Sequence, residues 1–179
     1  EPVKLPDTGT VSIADADPHS ATVMFNYEDY LTPDSLYWSF DDGAAIEMVK
    51  SLPGRFDASA YEIKQFESTS KDGTKVPYFW VGPKGASGPV PTLLYAYGGF
   101  QVSLTPWYWQ TAGKLWLARG NAFVVANIRG GGEFGPRWHE AGLKQNRQRV
   151  YDDFLSVAED LIAKGLTTNK QLGISGGSN

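Results

Sequence analysis

Between positions 91 and 175 the chain alternates short apolar runs with longer stretches of helical period, which restricts its architecture more than any other feature. Residues 91–97 (PTLLYAY) are apolar at nearly consecutive positions, as in a strand buried on both faces. Residues 122–128 (AFVVANI) repeat the pattern, and Leu172–Ser175 makes a third, shorter strand. Residues 109–119 fit a helix that stops at Gly120, where a left-handed residue ends the turn. Val150, Phe154, Val157, Ala158, Leu161 and Ile162 follow helical spacing and predict an amphipathic helix ending at Gly165. Strand, helix, strand, helix, strand requires crossover connections, so the fold class is α/β, with a parallel sheet and flanking helices.

The region before this array reads differently. Residues 61–66 and 76–81 flank Lys71-Asp72-Gly73-Thr74, whose Asp-Gly pair suits a hairpin turn, so an antiparallel hairpin opens the sheet. Residues 82–90 form a Gly/Pro-rich loop. Further upstream, Val23, Phe25 and Tyr27 alternate with polar neighbours in a first strand, and residues 36–40 and 45–49 predict two more. Thr32-Pro33-Asp34 and Asp41-Asp42-Gly43 read as the turns between them. Three short strands with tight turns resemble part of a meander or of one propeller blade, and need something to pack on. The division read from the sequence is residues 1–50 as closing strands, 51–60 as a connector and 61–179 as the α/β domain.

Composition removes several function classes. The 179 residues carry a formal net charge of −4, and no basic stripe points to nucleic acid. No apolar run is long enough to span a bilayer. There are no cysteines, which excludes disulfides, thiolate metal sites and a cysteine nucleophile. Two scattered histidines without cysteine do not make a zinc site, and no cofactor or metal is expected. The first residues lack the pattern of a signal peptide and read as mid-chain sequence, with a cytoplasmic location as the expectation and a periplasmic or secreted one left open.

The third strand runs directly into Gly176-Gly177-Ser178-Asn179, the front of a G-x-S-x-G nucleophile elbow. A strand that turns sharply into a helix needs small flanking residues, and it presents the serine hydroxyl at the tip. The tetrapeptide also fits an ordinary Gly/Ser loop; its place after the third strand favours Ser178 as a nucleophile. Tyr97-Gly98-Gly99 follows the first buried strand, where this fold supplies an oxyanion donor. The candidate donors are therefore the Tyr97 hydroxyl and the backbone N–H of Asn179. Tyr95 reads as a core aromatic.

The glycine-rich run from Arg129 to Gly135 lacks the G-K-[ST] of a phosphate loop and the spacing of a dinucleotide fingerprint. Its expected role is to let the backbone pass near the active site, with Arg129 and Glu133 paired or near substrate. His139 precedes Ser178, against the Ser, Asp/Glu, His order of this fold, and His19 fails the same test. Trp138-His139-Glu140 reads as a packing and hydrogen-bonding segment. Asp152 and Asp153, in the first turns of the long helix, are explained by the helix macrodipole.

In this order and spacing, KDGTKVPYF, YAYGGF, NIRGGGEFGPRWHEAG, YDDF and GGSN resemble the prolyl oligopeptidase family. The likeness is dense from residue 61 to 179, and FNYEDYLTPDSLYWSF resembles the closing strands of that family's propeller. It implies an α/β-hydrolase domain capped by a β-propeller, of which this chain would be an internal piece of a monomeric parent. It also implies a serine peptidase that cleaves short peptides on the carboxyl side of proline through an acyl-enzyme, without metal or cofactor. Carried over by motif, Ser178 is the nucleophile, Tyr97 and Asn179 form the oxyanion hole, and Phe100 lines the substrate pocket. The family's catalytic Asp and His would lie beyond residue 179, in the remainder of the parent chain. Ala96 stands where the family often has glycine. An esterase on the same fold, or an inert or binding role for the isolated chain, are the alternatives.

Overall fold

In the computed structural model of the chain, residues 3–6, 8–40 and 43–179 are described; Asp41 and Asp42, read as part of a turn, lie outside them. The chain divides into two compact units, residues 1–59 with 105–115, and residues 60–104 with 116–179.

The first unit is a four-stranded antiparallel meander, β1 (Thr10–Ala16), β2 (Val23–Glu28), β3 (Ser35–Phe40) and β4 (Ala45–Ser51), paired in that order. Strand β1 adds to the three read from the sequence; Val11 and Ile13 alternate with polar neighbours along it and are exposed. Phe25 and Tyr27 are buried on one face of β2, as the alternation requires. Phe25 stacks on Tyr37, directly opposite it on β3, with ring centroids 5.5 Å apart. Asp29 closes the β2–β3 turn by accepting from the backbone N–H groups of Leu31 and Thr32 and from the Tyr27 hydroxyl.

The segment 105–115, read from the sequence as part of the 61–179 domain, belongs to this first unit. Specific partners hold it there. Thr10 Oγ1 donates to the Pro106 carbonyl at 2.6 Å, and the Tyr108 N–H donates to Glu28 Oε2 at 2.9 Å. The Tyr108 ring stacks on Phe56, and its hydroxyl accepts from the Arg55 N–H. The helix expected over 109–119 is shorter, α1 (Gln110–Leu115), followed by a 3-10 turn at Leu117–Arg119. The interruption falls at Trp116, whose indole N–H is drawn to the Ala122 carbonyl at 2.7 Å.

The second unit holds a five-stranded sheet of order β5-β6-β8-β7-β9: β5 (Tyr61–Thr69), β6 (Lys75–Pro83), β7 (Thr92–Tyr95), β8 (Ala122–Ala126) and β9 (Leu172–Ser175). β5 and β6 form an unbroken hairpin, closed at Gly73 with φ 87°. β6 runs antiparallel to β8, and β8, β7 and β9 are mutually parallel. All five residues of β8 are buried, as the apolar run predicts for a central strand.

After the short α2 (Pro136–Glu140) comes α3 (Gln148–Ala163), which presents Val150, Val157 and Leu161 to Tyr78, Trp80, Leu94 and Val124 of the sheet. Each fully buried aliphatic side chain in that layer contributes about 1.5–3 kcal/mol. α3 ends where Gly165 takes φ 68°; the Gly165 N–H donates to the Ile162 carbonyl and the Leu166 N–H to the Leu161 carbonyl, satisfying the last turn.

Candidate active site

The strand order places β8 on one side of β7 and β9 on the other, so the β7–β8 crossover runs one way and the β8–β9 crossover returns past β7 in the other. In open parallel sheets, ligands bind outside the carboxyl ends of the strands at such a reversal. The carboxyl ends of β7 and β9 carry the two segments singled out in the sequence.

Beyond β9 the chain passes Gly176 and Gly177 to Ser178, which has φ 54°. A non-glycine residue in this left-handed region costs about 1–3 kcal/mol and persists only where its surroundings impose it. Beyond β7, Tyr97 leads into Gly98 at φ 60°, Gly99, and then Phe100 and Gln101 at φ 50° and 57°. Gly98 has no room for a side chain, because a Cβ there would meet Ile128 Cδ1 at 2.6 Å. At Gly99 a Cβ would collide with the Asn179 amide.

Side chains tie the two segments together. Asn179 Nδ2 donates to the Gly98 carbonyl at 2.9 Å, and Arg147 Nη1 donates to the same oxygen at 3.0 Å. Arg147 Nη2 reaches the terminal oxygen of Asn179, the last residue of the sequence, also at 3.0 Å. A cleft of about 410 Å³ opens beside them, lined among others by Tyr97, Arg147, Tyr151, Phe154, Gly177 and Asn179. Ser178 itself is exposed and lies between two of the lining residues.

Phe100 is not brought to this cleft. It is 74% exposed, and its left-handed backbone belongs to the turn that follows Gly99. Neither histidine lines the cleft. His139 Nδ1 lies 2.6 Å from the Gly130 carbonyl and 3.1 Å from the Gln101 backbone nitrogen, so the ring packs against the loop. The Gly130 backbone, at φ 92°, comes so close to the Gly98 carbonyl that a Cβ would collide with it. The glycine-rich loop therefore does pass against the segment after β7.

The reading of Arg129 and Asp153 needs correction. Arg129 does not pair with Glu133. It is buried and makes a two-point contact with Asp153, Nε to Oδ2 at 2.9 Å and Nη2 to Oδ1 at 2.6 Å. Asp153 is fully buried and also accepts from the Arg129 backbone N–H, so the macrodipole is not what holds it. Asp72, in the β5–β6 turn, accepts from Arg129 Nη1 at 2.6 Å, and Ser70 Oγ accepts from Nη2. The hydrogen bonds from Arg129 hold the Asp72 carboxyl well below the usual carboxylate range, and those that Arg129 donates to Asp153 above all push its guanidinium further up. The turn chemistry of the hairpin, the strand β8 and the helix α3 are thus locked by one cation. Glu133 instead accepts from the Leu104 N–H and from Asn127 Nδ2. Asp152 accepts from Gln148 on the exposed face of α3. Among the described residues no acidic or histidine cluster could hold a metal, and no helix is long and apolar enough to cross a membrane.

Residues 107–179 match the sequence family described as Prolyl oligopeptidase family. A peptidase from Sinorhizobium fredii is 52% identical over 177 residues, 98% of this chain and 24% of the relative. The prolyl endopeptidase of Elizabethkingia miricola is 36% identical over 180 residues, 99% of this chain and 25% of that protein. The solved structure of a post-proline cleaving enzyme from Rickettsia typhi superposes with a TM-score of 0.81 at 36% identity, covering 95% of this chain and 25% of the other. The chain belongs to the prolyl oligopeptidase family. It spans about a quarter of the length of the curated family members it matches.

One residue of the site escaped the sequence reading. Arg147 stands just before α3 among other polar residues, and nothing in its spacing announces that it donates to the Gly98 carbonyl 49 positions away.

Proposed function

We propose that this chain carries the nucleophile and oxyanion hole of a serine peptidase that cleaves short peptides on the carboxyl side of proline. The five-stranded unit is read as the first part of an α/β-hydrolase sheet, and the four-stranded unit as the end of a β-propeller. Ser178 is the nucleophile, and the observation that carries this is its left-handed backbone, φ 54°, at the carboxyl end of β9.

In the proposed reaction Ser178 Oγ attacks the peptide carbonyl, and its proton passes to a histidine oriented by an aspartate, both in sequence beyond residue 179. The oxyanion is held by the Tyr97 hydroxyl and the Asn179 N–H. Collapse expels the amine, which takes the proton from the histidine, and leaves an acyl-Ser178 ester. Water then hydrolyses that ester by the same acid–base route. The preference for proline is supported by the likeness to prolyl endopeptidases. Phe100, exposed in this chain, is read as meeting substrate from the rim.

The test is made on the full-length protein. A fluorophosphonate probe should label Ser178, mapped by mass spectrometry, and Ser178→Ala should abolish both labelling and hydrolysis of a proline-containing peptide. The 179-residue chain alone, lacking a base, should label poorly. Label on another residue, or peptide turnover surviving in Ser178→Ala, would sink the reading.

A further inference from the structure

We propose that His139 is a positioning residue that, together with the glycine-rich loop after β8, fixes the turn following Tyr97 and so aims the Tyr97 hydroxyl at the oxyanion; this rests on the reading of Tyr97 and Ser178 given above. β7 and β8 are neighbouring parallel strands whose last ladder pair is Tyr95–Val125. Tyr97 stands just beyond that pair and directly before the turn at residues 98–101. The ladder fixes its backbone from upstream. From downstream it is only as well placed as the turn. An oxyanion donor works only if it stands about 2.7–3.1 Å from the developing charge before the reaction begins.

The turn needs outside support. Gly98, Phe100 and Gln101 all take left-handed angles, φ 60°, 50° and 57°. Two successive non-glycine residues hold such angles only where their surroundings impose them. The imposing surface is the loop that leaves β8. The Gln101 N–H donates to the Gly130 carbonyl, and the Gly132 N–H donates to the Val102 carbonyl, both at 3.2 Å. Between these bonds the two backbones touch. A Cβ on Gly130 would collide with the Gly98 carbonyl, and one on Gly132 with the Gln101 carbonyl.

His139, on α2, closes the arrangement. Its Nδ1 lies 2.6 Å from the Gly130 oxygen and 3.1 Å from the Gln101 nitrogen, the same two groups that bond to each other. Carrying a proton, Nδ1 donates to the carbonyl, whose other lone pair still receives the Gln101 N–H. Without one, it accepts that N–H. Either tautomer ties the loop to the turn. The helix is itself fastened to the loop: the Gly130 N–H donates to the Trp138 carbonyl, and the Trp138 indole N–H donates to the Ile128 carbonyl, both at 3.1 Å. His139 is thus held by one segment and reaches the other.

The test uses the full-length protein with His139→Ala, His139→Asn and Gly132→Ala, each alone and combined with Tyr97→Phe, and kcat expressed per site titrated by fluorophosphonate. Misplacement of a catalytic group by about 1 Å can cost on the order of 100-fold. His139→Ala should lower kcat per titrated site by roughly 10-fold with KM nearly unchanged. His139→Asn should recover most of that, because its amide offers both a donor and an acceptor near the same place. Gly132→Ala pushes on the Gln101 carbonyl with His139 intact and should reproduce the loss; it decides on the same criterion if His139→Ala yields no folded protein. In the Tyr97→Phe background each change should cost less than about 2-fold, since the hydroxyl they position is gone. Fewer titrated sites with normal turnover per site, or an undiminished loss in the Tyr97→Phe background, would overturn the proposal. Normal turnover in Tyr97→Phe alone would mean that the reading of Tyr97 has failed and the positioning role with it. An impaired Tyr97→Phe beside normal His139 and Gly132 variants would remove the positioning role alone.

Discussion

The side-chain amide of Asn179 donates to the Gly98 carbonyl at 2.9 Å, joining residues 81 positions apart at the carboxyl ends of two neighbouring parallel strands. That amide also occupies the space that a side chain on Gly99 would need. The glycine pair after β7 is thereby explained by contact as well as by backbone angle.

Gly99→Ala should act through that contact. The added methyl displaces a flexible amide rather than backbone, so the fold should survive while the clamp on Gly98 is lost. A fall of about 10-fold in kcat is expected. Asn179→Ala should cause a similar loss, and the double variant should be little worse than either, because both remove one interaction. Fully additive losses in the cycle would show that Gly99 acts by another route.

Tyr97→Phe removes one proposed oxyanion donor and keeps the ring. Removing such a donor typically costs about 10²–10³ in kcat. The Tyr97 ring lines the cleft and is half-buried, so the melting temperature should stay close to that of the parent. Near-normal turnover in this variant would rule out the assignment.

The Arg129–Asp153 pair predicts a stability effect without a direct effect on chemistry. Asp153→Ala would strand a buried guanidinium, which costs about 3–5 kcal/mol when one partner of a buried pair is removed. Asp72→Ala should cost less, because the Asp72 side chain is 40% exposed and water can replace it. Urea unfolding followed through the unit that contains β5–β9 gives the ranking; equal costs for the two variants would contradict it.

Sequence reading and structure part company in a consistent way. The runs that became β7 and β8 were legible as unbroken apolar stretches, β8 being buried on both faces, and α3 because its stripe has one period; β9, largely exposed here, was legible from its place after that helix. β1 and the attachment of 105–115 to the first unit were not, since β1 offers only Val11 and Ile13 as alternating large apolar residues and Trp107 and Tyr108 find their partners far away in sequence. The same holds within the site. Ser178, Tyr97 and Asn179 stand in short motifs with positional chemistry, so spacing suggested them. Arg147 and the Arg129–Asp153–Asp72 network are defined by partners on other elements, and a guanidinium's partner cannot be read from its neighbours. Phe100, which its motif suggested, is exposed in this chain and does not line the cleft.

Acid should uncouple Asp72 from this network in a defined window. Its carboxyl is held well below the ordinary range, chiefly by the Arg129 hydrogen bonds. A depressed folded value means that the unfolded chain takes up the proton first, so the stability contributed by the pair is complete above the unfolded value of about 3.9 and is lost as pH falls towards the folded one. The difference in melting temperature between the parent and Asp72→Asn should therefore be constant from neutral pH down to about pH 5 and shrink steadily below about pH 4. Asp153, with no exposure to solvent, keeps its contact with Arg129 in both proteins, so Asp72 alone is removed from the comparison. A difference that stays constant to pH 2.5, or that closes near neutrality, would show that ionised Asp72 is not what stabilises the turn.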